Sequence, residues 1–536
     1  MGGQRLREGA RSGGKERRSP EALFAAGLRH FESGRLGAAE ERCRQALAAD
    51  PGRADCLHLL GLILAQAGKP DQAIDSVALA IRSNPNVPAY FASLGMLLQR
   101  QGRFVEALKS YDLALKLRPD DAEVWTRLGD LLRRQHRFDE ALLTFDHALS
   151  LEAGHAEAVS KAAVLLLELG RFMQALAKFD LLETIRPGQF ETAYNRGMCL
   201  AHLARWEEAE ASFRKAVAVA PGNAAAHHEL GQALLESNRG EEALAHLRKA
   251  VELDPGFVAA LNNLGNALVD IKQPDEALAL FDRAIALAPD TPELFSNKAN
   301  AEKALGRFDE ALAGYDRAIA LKPGYVQAHS NRGTCLDHMM RPDEARAAYA
   351  EALALAPEDA QTHWNLAINR LRAGDFTTGW TEAEWRWKCP ENRLTHRQFE
   401  KPLWLGVEPV DGRTLLLHND QGLGDAIQFC RYAPLLAARG ARVVLEVDRP
   451  LHGLLSRLSG VAQLVVKGEP LPDFDLHCPF MSLPLAFSTA LETIPSTVPY
   501  LSAVGSARDW EELIGPRRRP RIGLVWSGSA THSCAP

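Results

Sequence analysis

No apolar run in this 536-residue chain approaches the ~18–20 residues of a membrane-spanning helix. No Cys-x-x-Cys pair occurs either. The eight cysteines, Cys43, Cys56, Cys199, Cys335, Cys389, Cys430, Cys478 and Cys534, are scattered, which argues against a zinc site or a disulfide framework and for a reducing compartment. Neither sign of charge dominates: 62 Lys and Arg face 68 Asp and Glu, a net −6. That balance implies no nucleic acid and no anionic membrane surface as partner. The first 19 residues depart from it, with Arg5, Arg7, Arg11, Lys15, Arg17 and Arg18 against Glu8 and Glu16 only. No apolar stretch follows them, so they are not a secretory signal. Leu6 stands where myristoylation needs Ser or Thr. Residues 1–19 read as a disordered basic tail. The chain is expected to be soluble and cytoplasmic, and its length predicts two or more domains.

What the chain has in abundance is period. Pro51, Pro85, Pro119, Pro187, Pro221, Pro255, Pro289, Pro323 and Pro357 share one 34-residue register, broken only at Ala153. Ala39, Ala73, Ala107, Ala141, Ala175, Ala209, Ala243, Ala277, Ala311 and Ala345 keep the same step without a gap. With the proline at position 32, ten units run from 20 to 359. Position 8 is small: Gly27, Gly61, Gly95, Gly129, Ala163, Gly197, Gly231, Gly265, Ala299 and Gly333. Small residues at positions 8 and 20 fit two helices whose backbones approach closely. Position 24 carries bulk, as in Tyr111, Phe145, Phe179, Phe213, Phe281, Tyr315 and Tyr349. A regular repeat of this length is the mark of a solenoid, in which each unit buries its apolar face against its neighbours.

This pattern resembles the tetratricopeptide repeat. A degenerate eleventh unit is expected over 360–394, where Ala367 and Gly374 keep register but Gly379-Trp380 and Glu384-Trp385-Arg386-Trp387 replace the proline. Its aromatics would cap the array or seat it on the next domain. The resemblance implies that first helices line a binding face and that position 6 points into it. Position 6 is Asn195, Asn263, Asn297, Asn331 and Asn365 in the later units, but Leu59, Ser93, Arg127 and Lys161 in the early ones. The asparagines resemble the amide ladder of O-linked N-acetylglucosamine transferases, which would clamp an extended peptide by its backbone. They are also the ordinary residue at this position in such repeats, and both readings stay open. The carboxylate clamp for chaperone tails wants lysine at position 5, and none is there.

Past about residue 395 the period stops. Arg413–His418, Arg442–Val447, Leu464–Val466 and Asp475–His477 read as strands, with a helical pattern from Ala426 to Arg439 and another near Leu451–Leu458. The alternation predicts an α/β layer with a parallel sheet. Gly422-Leu423-Gly424-Asp425 follows the first strand, where such sheets place ligands. Its glycines are expected to serve a tight turn, and Asp425 to cap the helix or to act in chemistry.

The stretch from Leu416 to Leu436 resembles the first βα unit of heptosyltransferase-like glycosyltransferases, and the whole order resembles bacterial fusions of tetratricopeptide repeats with such a module. The resemblance implies that residues 395–520 form the Rossmann-like N-terminal half of a GT-B fold, giving a mainly α chain with an α/β end. It implies Gly422, Gly424 and Asp425 as the acceptor or phosphate loop, with Asp425 as the base. It implies no metal and no cofactor, a nucleotide-sugar being a donor substrate only if the fold is completed. Arg521-Ile522-Gly523-Leu524-Val525-Trp526-Ser527-Gly528 looks like the start of the second half, so 521–536 is read as that half cut short. Two functions follow: a protein-binding scaffold carrying an incomplete glycosyltransferase, or a glycosyltransferase whose repeats select a protein or glycan acceptor.

Overall fold

The computed structural model describes residues 19–389, 397, 399–420, 422–497 and 500–501. The basic tail, the Arg521–Gly528 segment and the chain's end lie outside the described residues. The chain divides into two compact units, Met1–Lys272 and Gln273–Pro536. No described helix is long and apolar enough to cross a membrane.

Helices at a fixed step fill the chain from Pro20 to Ala383, twenty-two of them. First helices begin at Pro20, Ala54, Pro88, Ala122, Ala156, Phe190, Ala224 and Val258 in the first unit, and at Pro292, Val326 and Ala360 in the second. Second helices run from Leu36–Ala49 to Pro342–Leu355 and stop two residues short of each register proline, as in Gly240–Leu253 before Pro255. Proline has no N–H to continue the ladder and pushes the residue before it out of helical geometry. The eleventh pair is Ala360–Arg372 and Phe376–Ala383, the latter running into a 3-10 turn at Glu384–Lys388.

Position 8 is small for backbone approach, a Cβ on Gly61 lying 3.0 Å from the Ala73 carbonyl and one on Gly231 3.3 Å from that of Ala243, and for a second reason. A Cβ placed on Gly129 would lie 2.5 Å from Phe145, one on Gly95 2.7 Å from Tyr111, one on Gly197 2.6 Å from Phe213 and one on Gly333 2.6 Å from Tyr349. The glycine makes room for the position-24 ring of its own unit. Where position 24 shrinks, the same pairing continues with Gly61 on Val77 and Gly231 on Leu247. These rings, Phe145 and Phe213 among them, are fully buried. In the first unit Cys43 fills position 24; burial pushes its thiol up to about 11, the state of an inert core residue.

The hairpin turn carries a demand the proline register does not reveal. Position 15 is left-handed in every unit: Gly34, Gly68, Gly102, Gly170, Gly306 and Gly374, but also His136, Ala204, Asn238, Lys272 and Met340, with φ between 54° and 63° in those five. A Cβ in this region costs about 1–2 kcal/mol, and glycine's extra freedom in the unfolded chain returns ~0.5–1 kcal/mol of that. Ala204→Gly is therefore expected to stabilise the fold by roughly 0.5 kcal/mol, read as a rise in the thermal unfolding midpoint. A fall in midpoint would contradict the strain.

The second unit ends in a four-stranded sheet of order β3-β2-β1-β4, with β1 Thr414–His418, β2 Arg442–Val447, β3 Val461–Val466 and β4 Leu476–Pro479. All pairings are parallel. Leu415, Leu417, Val443 and Leu445 face a core with Phe429, Ala433, Leu436 and Leu455. Leu416, Val444 and Val465 face Phe399, Leu471 and Phe474 instead. The single helix expected over 426–439 is split into Leu423–Phe429 and Ala433–Ala438 by a 3-10 turn at Cys430–Tyr432. Pro434 is the cause, because it offers no N–H to the Cys430 carbonyl one turn back. The parallel sheet is as expected; a small sheet of this kind is common to many α/β layers and does not by itself make a GT-B half.

Candidate functional site

Two places gather polar side chains that the fold does not use up. The first is the row at position 6. All five asparagines are half-buried on first helices. In the first unit, Asn263 Nδ2 donates to His228 Nε2 at 3.0 Å and to Gln232 Oε1 at 3.3 Å. In the second, Asn365 Nδ2 reaches Ser330 Oγ and Thr334 Oγ1, each at 3.5 Å. His58 and Ser93 pair at 2.8 Å by the same rule, position 5 of one repeat with position 6 of the next. These amides stitch neighbouring repeats together. Asn195 and Asn331 differ, having no hydrogen-bond partner among the described residues. Arg127 and Lys161, the early position-6 residues, lie in a charged pocket with Glu123, Asp130 and Glu157. Lys161 and Arg134 both pair with Asp130, at 3.5 and 3.2 Å.

A second recurring bond escaped the sequence reading. Position 4 sends a ring N–H to the carbonyl of the preceding register proline: Trp125 to Pro119 at 2.8 Å, His227 to Pro221 at 3.2 Å, His329 to Pro323 at 3.0 Å and His363 to Pro357 at 2.8 Å. The signal was present as an aromatic nitrogen six residues after each of those prolines.

The second place is the carboxyl edge of the sheet. A cavity of about 370 Å³ is lined by His418 at the end of β1, Asn419 and Asp420 just after it, Glu446 of β2, Lys467 beyond β3, and His477 and Pro479 of β4. Phe399, Trp387 and Lys401 complete its wall. His418 Nε2 and His477 Nδ1 share a hydrogen bond of 3.2 Å, and both rings are buried. Glu446, also buried, accepts from Arg397 Nη1 at 2.6 Å. Asn419 donates to Asp448 at 2.6 Å. Its own Oδ1, and Oδ1 of Asp420, are buried with no hydrogen-bond partner among the described residues.

Asp420 belongs to a clasp centred on Arg386. That guanidinium is wholly buried. It donates to Asp420 Oδ2 at 3.0 Å, Glu384 Oε1 at 2.7 Å, Ser482 Oγ at 2.8 Å and the Ala383 carbonyl at 3.0 Å, and it lies over the Trp387 ring at 4.2 Å. The clasp joins the last repeat helix to the loops after β1 and β4. Burial pushes the Asp420 carboxyl upward, and Arg386 pulls against it. The Trp-Arg-Trp segment is held to the sheet's loops through its arginine. Of the aromatics, Trp380 packs edge-on against Phe429 at 5.8 Å and Trp385 stacks on His363 at 4.0 Å.

Asp425 is the third residue of its helix. Its Oδ2 accepts the Gly422 N–H at 3.1 Å, half of a capping box. It does not line the cavity, nor do Gly422 and Gly424. The tight-turn account of these glycines is corrected: Gly422 has φ −70°, and a Cβ on Gly424 would meet nothing within 4 Å.

Models of the tetratricopeptide repeat match residues 30–97 and 234–301, 88–151 and 189–255, and 126–190, 296–360 and 339–378. Among solved structures, yeast Tom70 is 18% identical, with 68% of this chain and 91% of that chain covered at a TM-score of 0.35. MamA from Desulfovibrio magneticus RS-1 is 25% identical over 31% of this chain and 94% of its own, at 0.30. A tetratricopeptide repeat protein from Parabacteroides merdae is 19% identical over 46% and 98%, at 0.36. No curated protein matches the chain. Superpositions this loose carry no argument of their own, whereas the family matches run unbroken from 30 to 378 and coincide with the helical hairpins. The chain is a tetratricopeptide-repeat protein.

Proposed function

We propose that the repeats bind a partner protein through extended segments of its chain, with the position-6 amides as anchors. One observation carries the reading. Asn195 and Asn331 hold the same position as the stitched asparagines yet have no hydrogen-bond partner among the described residues. A half-buried amide without a partner favours a ligand that supplies both a donor and an acceptor, and a peptide backbone does. Loss of one such bond removes about 1 kcal/mol, roughly a five-fold change in affinity. Asn195→Ala and Asn331→Ala are each expected to weaken peptide binding by that factor in calorimetric titration, with the unfolding midpoint unchanged. Asn263→Ala is expected to lower the midpoint, because its amide is already used between repeats. Peptide affinity indifferent to both Asn195 and Asn331 would end the reading.

The carboxyl-edge cavity favours a second reading, a sheet that holds the hydroxyl acceptor of a glycosyl transfer from a nucleotide-sugar. Oδ1 of Asn419 and of Asp420 are acceptors waiting for O–H donors. Asp425, in the first turn of the helix that follows β1, is the base that family resemblance supports. Asp420 is the alternative, since an upward-shifted carboxyl is better matched to proton abstraction near neutrality. Titration with UDP-, GDP- and ADP-sugars separates the two readings. Saturable donor binding followed by transfer supports catalysis, and absence of both leaves the scaffold alone.

A further inference from the structure

The position-6 row changes sign inside the first unit. Arg127, Lys161, Asn195 and Glu229 hold that position on four successive first helices, Ala122–Arg134, Ala156–Glu168, Phe190–His202 and Ala224–Glu236. All four side chains are partly exposed. Two cations are thus followed by an uncharged amide and then by an acid.

The cationic end is a cavity of about 310 Å³. Arg100 and Arg134 join Arg127 and Lys161 in its lining, against Glu123, Asp130 and Glu157. One of those acids is internal. Burial pushes the Asp130 carboxyl up, but Lys161, Arg134 and Arg133 together hold it below its ordinary value. It accepts from Arg134 Nε at 3.2 Å and from the Gln99 amide at 2.9 Å, and Lys161 Nζ lies 3.5 Å away. Asp130 is therefore shared among several cations rather than cancelling each. Arg127 gives its Nε to Glu123 at 2.7 Å, and Lys161 stands 3.4 Å from Glu157. Arg100 is exposed and has no ion-pair partner among the described residues. The side chains of Arg127, Arg134 and Lys161 are 34%, 54% and 30% exposed, so their charges open onto the face.

The acidic end is left uncancelled by a tautomer. Asn263 Nδ2 can only donate, so His228 Nε2 accepts from it at 3.0 Å and the imidazole proton sits on Nδ1. That Nδ1–H donates to Glu229 Oε1 at 3.1 Å. The ring is thus neutral, and no Lys or Arg pairs with Glu229 among the described residues.

We infer that the segment bound along this face is charged in the same order: acidic residues beside Arg127 and Lys161, an uncharged stretch beside Asn195, and a basic residue at Glu229. Complementary charge of this kind fixes which end of a partner lies where. The inference rests on the position-6 reading above and adds the partner's chemistry to it. Helices packed about 8–10 Å apart put Lys161 and Glu229, two repeats apart, about 20 Å from each other. That is roughly six residues of extended chain at ~3.3 Å each.

The test uses a peptide blocked at both ends, with two glutamates and two lysines separated by about four neutral residues, titrated calorimetrically into the full chain at low salt. Its analogues carry glutamine in place of the glutamates, of the lysines, or of both. The mixed peptide is expected to bind about ten-fold more tightly than the all-glutamine one, with the singly charged forms between them. About 0.5 M salt should remove most of that difference. Arg127→Gln with Lys161→Gln should erase the gain from the glutamates alone, and Glu229→Gln the gain from the lysines alone. The peptide comparison on the unaltered chain stands even if a variant fails to fold. Equal affinity of the mixed and all-glutamine peptides, tightest binding by the lysine-only form, or no saturable binding of the mixed peptide would overturn the inference. Asn195→Ala separates it from the reading beneath it. Charge preference that persists with affinity indifferent to Asn195 sinks the amide anchor alone, whereas weakening of all four peptides without any charge preference sinks this inference alone.

Discussion

Arg386→Met is expected to destabilise the C-terminal sheet by about 3–5 kcal/mol, the usual consequence of removing one partner from a buried ion pair. The arginine is wholly buried, and the carboxylates of Glu384 and Asp420 both depend on it. Methionine would fill most of the space of the side-chain stem while leaving two acids without compensation. The magnitude reflects those stranded charges more than the worth of the bonds themselves. Arg386→Met combined with Glu384→Gln and Asp420→Asn should therefore recover much of the loss, since neutral amides tolerate burial better than unpaired carboxylates. Urea unfolding of the full chain followed by tryptophan fluorescence reads both effects, because Trp385 and Trp387 flank the arginine. A single variant as stable as the parent would show that the clasp carries no weight.

Gly129→Val is the next largest, at roughly 3 kcal/mol of destabilisation, the upper end of overpacking costs. Even a bare Cβ there lies 2.5 Å from Phe145 and 2.7 Å from Thr144 Oγ1. A single methyl is accommodated elsewhere, since Ala163 and Ala299 hold the same position opposite Phe179 and Tyr315. A branched side chain asks the ring to leave its site. The two positions should be strongly coupled: Gly129→Val in a Phe145→Ala background is expected to cost far less, because the ring that the branched side chain would meet is gone. A double-mutant cycle on thermal midpoints measures the coupling, and strict additivity would contradict the pairing.

How much of this was legible follows from which interactions are local. The hairpins were legible because proline, alanine and glycine repeat with the period of one supersecondary unit, so ten copies reinforce one signal. The left-handed turn residue was less so, because five units fill it with His136, Ala204, Asn238, Lys272 and Met340 instead of glycine. The second reason for glycine at position 8 was hidden because its partner ring lies sixteen residues on, across the hairpin. The parallel sheet was legible from strand-to-helix alternation, whereas the helix break at Pro434 was not given its due. Gly422-Leu423-Gly424-Asp425 drew attention as a motif, but the buried acid of that loop is Asp420. Asp420 matters through Arg386, thirty-four residues away, and through Ser482, which bonds the same guanidinium from ninety-six residues beyond Arg386. No local pattern announces such a clasp. The asparagine row was visible, but not which of its members are already engaged.

The claim that the first-helix faces hold the partner is tested most directly by site-specific photo-crosslinking. A benzophenone side chain placed at Asn195 or Asn331 reports contact at position 6. The same group at Leu143 or Leu287, which are 70% and 53% exposed on second helices, reports the opposite case. With extended peptides drawn from a captured partner protein, crosslinks are expected from 195 and 331 and not from 143 and 287. Crosslinks from the second-helix positions alone would contradict the account.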